Sequence, residues 1–442
     1  MRRFQKGHPV NNFLQTSGLT DFRGESHFAL RGVRVLDQSG RFSEKTDVHV
    51  RNGFIEYVGS DRAITGNALD AEGTWLMPGL VDCHAHLGCF SNSTDEMMSM
   101  SVTRWTLESA RSANTLLNLG ITLVRDPATG DPGIRDGIAS GAVPGPTLRV
   151  SGPALSQTGG HADGYVPSLG VEAMSGFLMP AYPGRGHSVV DGEDEMRRVV
   201  RQLVRSGVDW IKLCATGGLL SSMGDHPMRA EFTKVELAAA VEHADRAGIP
   251  VAAHAYGGDG LTDAVQAGVR SIEHGIFLTP QQADEMAERG CWLVPTLIVL
   301  EELKDLADAG EIDPWSAKKV TEVYELSGQQ VAVARAAGVK IAMGSDLVVQ
   351  GRNLEELAQL GRAGMTGPEV LLAATLGSTE LLGMSHDRGR IAEGFIFDAV
   401  LLEEDPSDLS VFSRPEPVKA VFQSGHVVRP LKRWTSAQHG SL

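Results

Sequence analysis

The chain has 442 residues, of which 42% are hydrophobic and 21% charged, and a formal net charge of −15. This is the composition of an ordinary globular protein with ample material for a core, and its acidic balance argues against nucleic acid or an anionic membrane as partner. Small substrates are not excluded, because bound cations dominate the local field of a site. The four cysteines, Cys83, Cys89, Cys214 and Cys291, contain no Cys-x-x-Cys pair and are too few for a disulfide framework. Reduced thiols suit a cytoplasmic protein. The basic start Met1-Arg-Arg-Phe-Gln-Lys6 has no apolar segment behind it, so no secretory signal is expected. No run approaches the ~20 apolar residues of a membrane span.

Residues 1–26 are polar and aperiodic and read as an N-terminal arm. From Phe28 short alternating runs follow, through Asp47–Arg51, Asn52-Gly53 and Phe54–Val58, and the Asn-Gly between alternating segments signals a hairpin. After Met77 the rhythm becomes strand, loop, helix. Candidate strands are Leu80–His84, Thr122–Arg125, Leu148–Gly152, Trp210–Leu213, Val251–His254, Ser271–Glu273, Trp292–Pro295 and Val339–Ala342. Helical patterns lie between them, among them Glu193–Ser206, Lys234–Ala247 and Pro280–Arg289. Gly120, Gly207, Gly248, Gly268, Gly290 and Gly338 stand where helices should stop. Eight strands with intervening helices predict a (β/α)8 TIM barrel over residues 77–387, with a doubly wound α/β sheet as the competing topology. Gly394–Leu402 and Val418–Val428 read as returning strands, so residues 27–76 and 388–442 are expected to build one small β-sandwich domain from both chain ends.

Barrel active sites lie at the C-terminal ends of the strands. The first strand ends in His84-Ala-His86, and side chains two apart on a strand point the same way, so both imidazoles can reach one cation. Lys212 follows on the fourth strand, His254 on the fifth, His274 on the sixth and Asp346 after the eighth. Four histidines, one aspartate and one inward lysine are an inventory for two divalent cations, and neutral imidazole with carboxylate suits Zn²⁺. Buried beside metal charge, Lys212 should shift towards the neutral amine. A neutral amine can add CO₂ to give a carbamate that bridges two cations; the alternative is an inward lysine paired with a carboxylate.

The order His-x-His, Lys, His, His, Asp resembles the amidohydrolase superfamily. Further motifs carry the likeness along almost the whole chain: Pro78-Gly-Leu-Val-Asp-Cys-His-Ala-His86, Lys212-Leu-Cys-Ala-Thr-Gly-Gly218, His254-Ala-Tyr-Gly257, Ser271-Ile-Glu-His-Gly275 and Gly344-Ser-Asp346. The returning Gly394-Phe-Ile-Phe-Asp398 departs from the superfamily's usual Gly-Lys-x-Ala-Asp spelling. Within the superfamily the chain looks most like the branch of imidazolonepropionase-like proteins, Xaa-Pro and related dipeptidases, ochratoxin-type amidases and phenylurea hydrolases. The resemblance implies that His84, His86 and Asp346 hold one metal, that His254 and His274 hold the other, and that carboxylated Lys212 bridges them. It implies that Asp346 is general base and then general acid. It offers His161, in the loop after the third strand, and Tyr256 as donors to the scissile carbonyl. Members are often homo-oligomers.

The expected activity is therefore hydrolysis of an amide-type C–N bond in a small-molecule substrate. A dipeptide or N-acyl amino acid needs a cation for its carboxylate, for which Arg185, Arg229 and Arg352 in predicted loops are candidates; His226 lies near the fourth-strand loop. An aryl amide, phenylurea or carbamate needs an apolar pocket instead. Met97, Met98, Met100 and the run Phe177–Tyr182 could line one, or simply pack. Ester or lactone substrates and a non-catalytic scaffold are the remaining readings; Lys212 argues against deamination. Glu273 and Thr216-Gly217-Gly218 read as supports for the ligands, and Cys83 and Cys214 as non-ligands.

Overall fold

The computed structural model describes residues 27–64, 67–166, 171–172, 178–220, 225–432 and 434. The expected N-terminal arm, residues 1–26, lies outside them. The small domain is built from β1 (His27–Leu36), β2 (Phe42–Arg51), β3 (Phe54–Gly59), β4 (Asn67–Asp70) and β5 (Trp75–Pro78). From the other chain end come β15 (Ala399–Leu402), β16 (Val418–Gln423) and β17 (His426–Arg429). Their order is β17-β16-β15-β5-β1-β2-β3, with β4 beside β1. Where a sandwich was expected, the strands form one continuous eight-stranded sheet. Register shifts in β1, β2, β15 and β16 let it curl, and a Phe54–Ile396 bridge ties β3 to the returning chain. The β2–β3 turn uses Asn52 and Gly53 at φ 53° and 85°, the paired positive values that its Asn-Gly sequence predicts. Phe28, Leu30, Val48, Ile55, Leu76, Phe397, Leu401 and Phe422 pack as its core.

The second body begins where Gly79 passes the chain from β5 into β6 (Leu80–Asp82). Then come β7 (Ile121–Asp126), β8 (Thr147–Val150), the small hairpin of β9 (Tyr165–Val166) and β10 (Val171–Glu172), and β11 (Ile211–Cys214). β12 (Val251–Ala255), β13 (Ser271–His274) and β14 (Trp292–Val294) complete the strands. β6-β7-β8 and β11-β12-β13-β14 are parallel sheets. Backbone bonds carry the ring across the gaps: Trp210 N to Val150 O at 3.1 Å, Ala342 N to Leu293 O at 3.0 Å and Cys83 N to Met343 O at 2.9 Å. The eighth predicted strand, Val339–Ala342, is reduced to one bridge between Ile341 and Leu293, and beyond it Gly344 sits closely against His84. Helices over Val102–Leu119, Glu193–Ser206, Lys234–Asp245, Gly258–Ala267, Pro280–Arg289 and Gln329–Ala337 fill the connections. Gly120, Gly207, Gly268, Gly290 and Gly338 end five of these helices in the left-handed conformation. The sixth stops at Asp245, two residues earlier than expected, and Gly248 belongs to the turn beyond it. No helix among the described residues is long and apolar enough to cross a membrane.

Alternation along the strands stacks the barrel interior in tiers. Val81, Leu123, Trp210, Ala252, Trp292 and Ala342 form an apolar floor, closed by Leu381, Leu382 and Met384. Above it Arg125 lies over the Trp210 ring at 4.6 Å and pairs with Glu273 at 2.7 Å, both side chains fully buried. Ser271 Oγ accepts from Arg125 at 2.9 Å and donates to Glu273 at 2.6 Å. Removing one partner of such a pair strands the other charge in the core, so Arg125→Met should lower stability by about 3–5 kcal/mol in urea denaturation. A loss within experimental error would show that the pair is dispensable.

Candidate metal centre and active site

The upper tier is where the sequence-predicted residues meet. β6 stops at Asp82, and the bend after it places Cys83 in the apolar floor and turns His84 and His86 to the mouth. Asp82 holds this turn together: its carboxylate accepts from His84 N at 3.0 Å, Ser345 N at 3.1 Å, Ser345 Oγ at 2.6 Å and Asn353 Nδ2 at 3.1 Å. One buried carboxylate thus ties the His-x-His turn to the Gly344-Ser-Asp346 turn. His86 Nε2 lies 2.8 Å and His84 Nε2 3.3 Å from Asp346 Oδ1. His274 Nδ1 lies 3.8 Å from Asp346 Oδ2. Around this point the His254–His274 and His84–His274 ring centroids are 4.6 and 5.3 Å apart. His161 stacks on His254 at 4.3 Å, and Tyr256 stacks on His274 at 5.2 Å. His274 and Asp346 sit at φ 74° and 57°, a conformation that L side chains adopt only under local constraint.

Three of the imidazoles have one nitrogen committed and one left over. His84 Nδ1 meets Glu273 Oε2 at 2.8 Å, His274 Nδ1 meets Thr296 Oγ1 at 2.7 Å, and His254 Nε2 donates to Gly217 O at 3.1 Å. Burial holds the pKa of His84, His254 and His274 well below the ordinary histidine value, so the rings are neutral. A neutral His84 that donates from Nδ1 presents a lone pair at Nε2 to the carboxylate of Asp346. Two acceptors face each other there, an arrangement that a cation between them would satisfy. His86, His84 and Asp346 offer three ligand atoms within 4.8 Å of one another. Burial opposes charge on His86, but Asp126 and Asp346 outweigh it and lift its pKa to about 9. A divalent cation would take the place of the His86 proton, and with that proton displaced the donor set fits a metal.

Lys212, on β11, is buried, and among the described residues it forms no ion pair, so the pairing with a carboxylate weighed from sequence is not made. Burial lowers its pKa against the opposing pull of Glu273 and Asp346. Burial also lowers the pKa of His161 to about 4 and raises that of Tyr256, so both are neutral proton carriers at ordinary pH.

Other candidates do not join the cluster. Arg352 pairs with Glu355 at 2.9 Å and lies 3.8 Å from Asp305. Arg185 donates to the Met179 carbonyl. Arg229 and His226 are exposed. Met97 is buried in the main core, Met98 is exposed and Met100 packs at the core's edge, so these methionines are not a shared pocket wall. Phe177 lies outside the described residues.

Several supports have no local signature. Asp126, at the end of β7, accepts from Leu87 N at 2.8 Å and faces His86 Nδ1 at 3.8 Å; taking the second strand one residue further would have found it. Thr296 and Glu231 are recognisable only once the chain is folded. Glu231 accepts from Ser156 Oγ at 2.8 Å and from His161 N, and burial pushes its carboxyl up to about 8. Its folded form then keeps a proton that the unfolded chain releases near pH 4.5. This group's contribution to stability should fall as pH rises from about 4.5 to about 8. Denaturant titrations across that window should show a flatter slope for Glu231→Gln; an unchanged slope would assign it to other groups.

The amidohydrolase family matches residues 75–428. Ochratoxinase from Aspergillus niger is 33% identical over 398 residues, spanning 86% of this chain and 82% of that protein. Its crystal structure superposes with a TM-score of 0.80 over 92% of this chain and 96% of its own, at 29% identity. The crystal structure of a Xaa-Pro dipeptidase with methionine in its active site gives a TM-score of 0.83 at 27% identity, over 92% and 100%. Phenylurea hydrolase B, at 21% identity and a TM-score of 0.73 over 91% and 97%, shows the shared fold alone. The architecture is thus a TIM barrel with an additional domain.

Proposed function

Because the chain belongs to the amidohydrolase family and is a hydrolase acting on C–N bonds, we propose that it cleaves the amide bond of a dipeptide or N-acyl amino acid at a centre for two zinc ions. The observation that carries this reading is the convergence of His84, His86 and Asp346, with the His274 ring packed against those of His84 and His254. His84, His86 and Asp346 would hold one ion and His254 and His274 the other. Lys212, desolvated and without an ion pair among the described residues, would take up CO₂ as a carbamate between them. When bound, the two ions supply Lewis-acid polarisation of the carbonyl and a water acidic enough to attack it at neutral pH.

The remaining work falls to the chain. Asp346 accepts the attacking water's proton and passes it to the departing amine. His161 and Tyr256 present N–H and O–H donors where the carbonyl oxygen gains charge. The apolar floor and the Arg125–Glu273 pair close the barrel below and keep water from the underside of the site.

A second reading, an aryl amide, phenylurea or carbamate as substrate, is favoured by one feature. Leu219, Ile276, Val299 and Leu300 pack with Tyr256 as an apolar cluster beside the histidines. A hydrolysis screen of the zinc-loaded protein separates the two, setting dipeptides and N-acyl amino acids against anilides, carbamates and phenylureas without a carboxylate. Turnover confined to the carboxylate-bearing set is the expected result. Turnover confined to the neutral aryl set would replace it with the second reading.

A further inference from the structure

Behind the site, helices Leu297–Ala309 and Pro314–Tyr324 pack side by side as a hairpin beyond β14. From its second helix Lys319, a buried residue, reaches back across the chain and donates from Nζ to Gly218 O at 3.0 Å. Gly218 belongs to the loop after β11, whose neighbouring carbonyl, Gly217 O, accepts from His254 Nε2. The loop is held on its other sides too. Gly218 N donates to Asp225 at 3.1 Å, Gly217 N donates to Arg229 O at 3.0 Å, and Thr216 Oγ1 accepts from Tyr256 N at 3.0 Å. Neither glycine has room for a Cβ: at Gly217 it would overlap Asp225, and at Gly218 it would overlap the His161 ring. The contacts of this loop hold the peptide that carries the Gly217 carbonyl, and Lys319 adds a cationic donor to them.

We infer that Lys319 is a positioning residue for His254: by holding Gly218 it fixes the Gly217 carbonyl, and so keeps the His254 proton on Nε2 and the Nδ1 lone pair turned into the mouth. This rests on the two-cation reading above. A carbonyl whose peptide is pinned by an ammonium orients the imidazole more narrowly than one free to rotate, and removal of such an outer partner typically costs about 10–100-fold in metal affinity. The His84–His86–Asp346 group is oriented by Glu273 and Asp82 instead. The effect should therefore fall on one cation and spare the other.

The test is a two-step Co²⁺ titration of the metal-free full chain, followed by calorimetry and by the visible absorption of the bound ion. Wild type should take up two Co²⁺ ions. Lys319→Met should weaken one of them at least about 10-fold and alter its absorption band, leaving the other unchanged. Lys319→Arg, which keeps a cationic donor, should recover most of the loss. Val323→Ala, a packing loss on the same helix, controls for loosening of the hairpin and should leave both affinities alone. If Lys319→Met binds both ions as wild type does, or if Val323→Ala weakens the same ion equally, the inference is overturned and the two-cation reading stands. If wild type binds a single ion, that reading falls and the inference falls with it.

Discussion

Lys212→Ala is expected to bind at most one divalent ion per chain and to lose roughly 10³-fold or more in kcat/KM. That is the effect of removing several kcal/mol of charge stabilisation at about 1.4 kcal/mol per tenfold. The physical ground is the position of the amine. It is buried on β11, among His84, His254 and His274, whose pKa values its charge helps to lower, and it lacks an ion-pair partner among the described residues. An ammonium that served only to balance charge would stand against a carboxylate. Metal analysis and kinetics on the same preparation decide the matter, and short carboxylic acids added to the variant should restore part of both. Wild-type metal content and rates in Lys212→Ala would remove the lysine from the centre.

Asp346→Asn should lower kcat by about 10²–10⁴-fold, the usual share of a positioned proton carrier, with a smaller change in KM. Asp346 faces His84 and His86 and is held in a left-handed backbone conformation by the Asp82–Ser345 contacts. Burial raises its pKa, but the neighbouring His84 and His86 outweigh this and keep the carboxylate ionised, ready to accept a proton. Asparagine preserves shape and hydrogen bonding while removing that capacity. A fall in kcat matched by an equal rise in KM would instead point to a binding role.

The candidate ligands were legible because each member stands at the end of a strand-like run. Spacing alone paired His84 with His86, and Ile-Glu-His-Gly and Met-Gly-Ser-Asp mark strand ends by their apolar approach and glycine neighbours. The residues that orient those ligands were less visible, since contact across a barrel leaves no periodicity. Thr296, Lys319 and Glu231 reach their partners over 22, 101 and 70 residues. Glu273 was recognised as a support only because it adjoins His274. Of the arginine candidates, Arg352 meets an acidic partner three residues along its own helix start, a contact its sequence neighbourhood already held. The small domain's strands were recognisable from alternation, whereas their union in one sheet depends on β5 pairing with β1 on one side and β15 on the other, which alternation does not encode.

That shared strand bears on the order in which the molecule can be completed during synthesis. β5 runs directly into β6 and the His84–His86 turn, yet one of its edges is covered only by β15, with Leu76 opposite Leu401. Until Ala399–Leu402 has emerged from the ribosome, that edge lacks this partner and the turn beyond it lacks a fixed frame. A nascent barrel would therefore carry its histidines on a strand open along one side, and contacts of such long sequence separation form late. Trimming the chain before Ala399 should leave a product that fails to hold metal even though every ligand is still present.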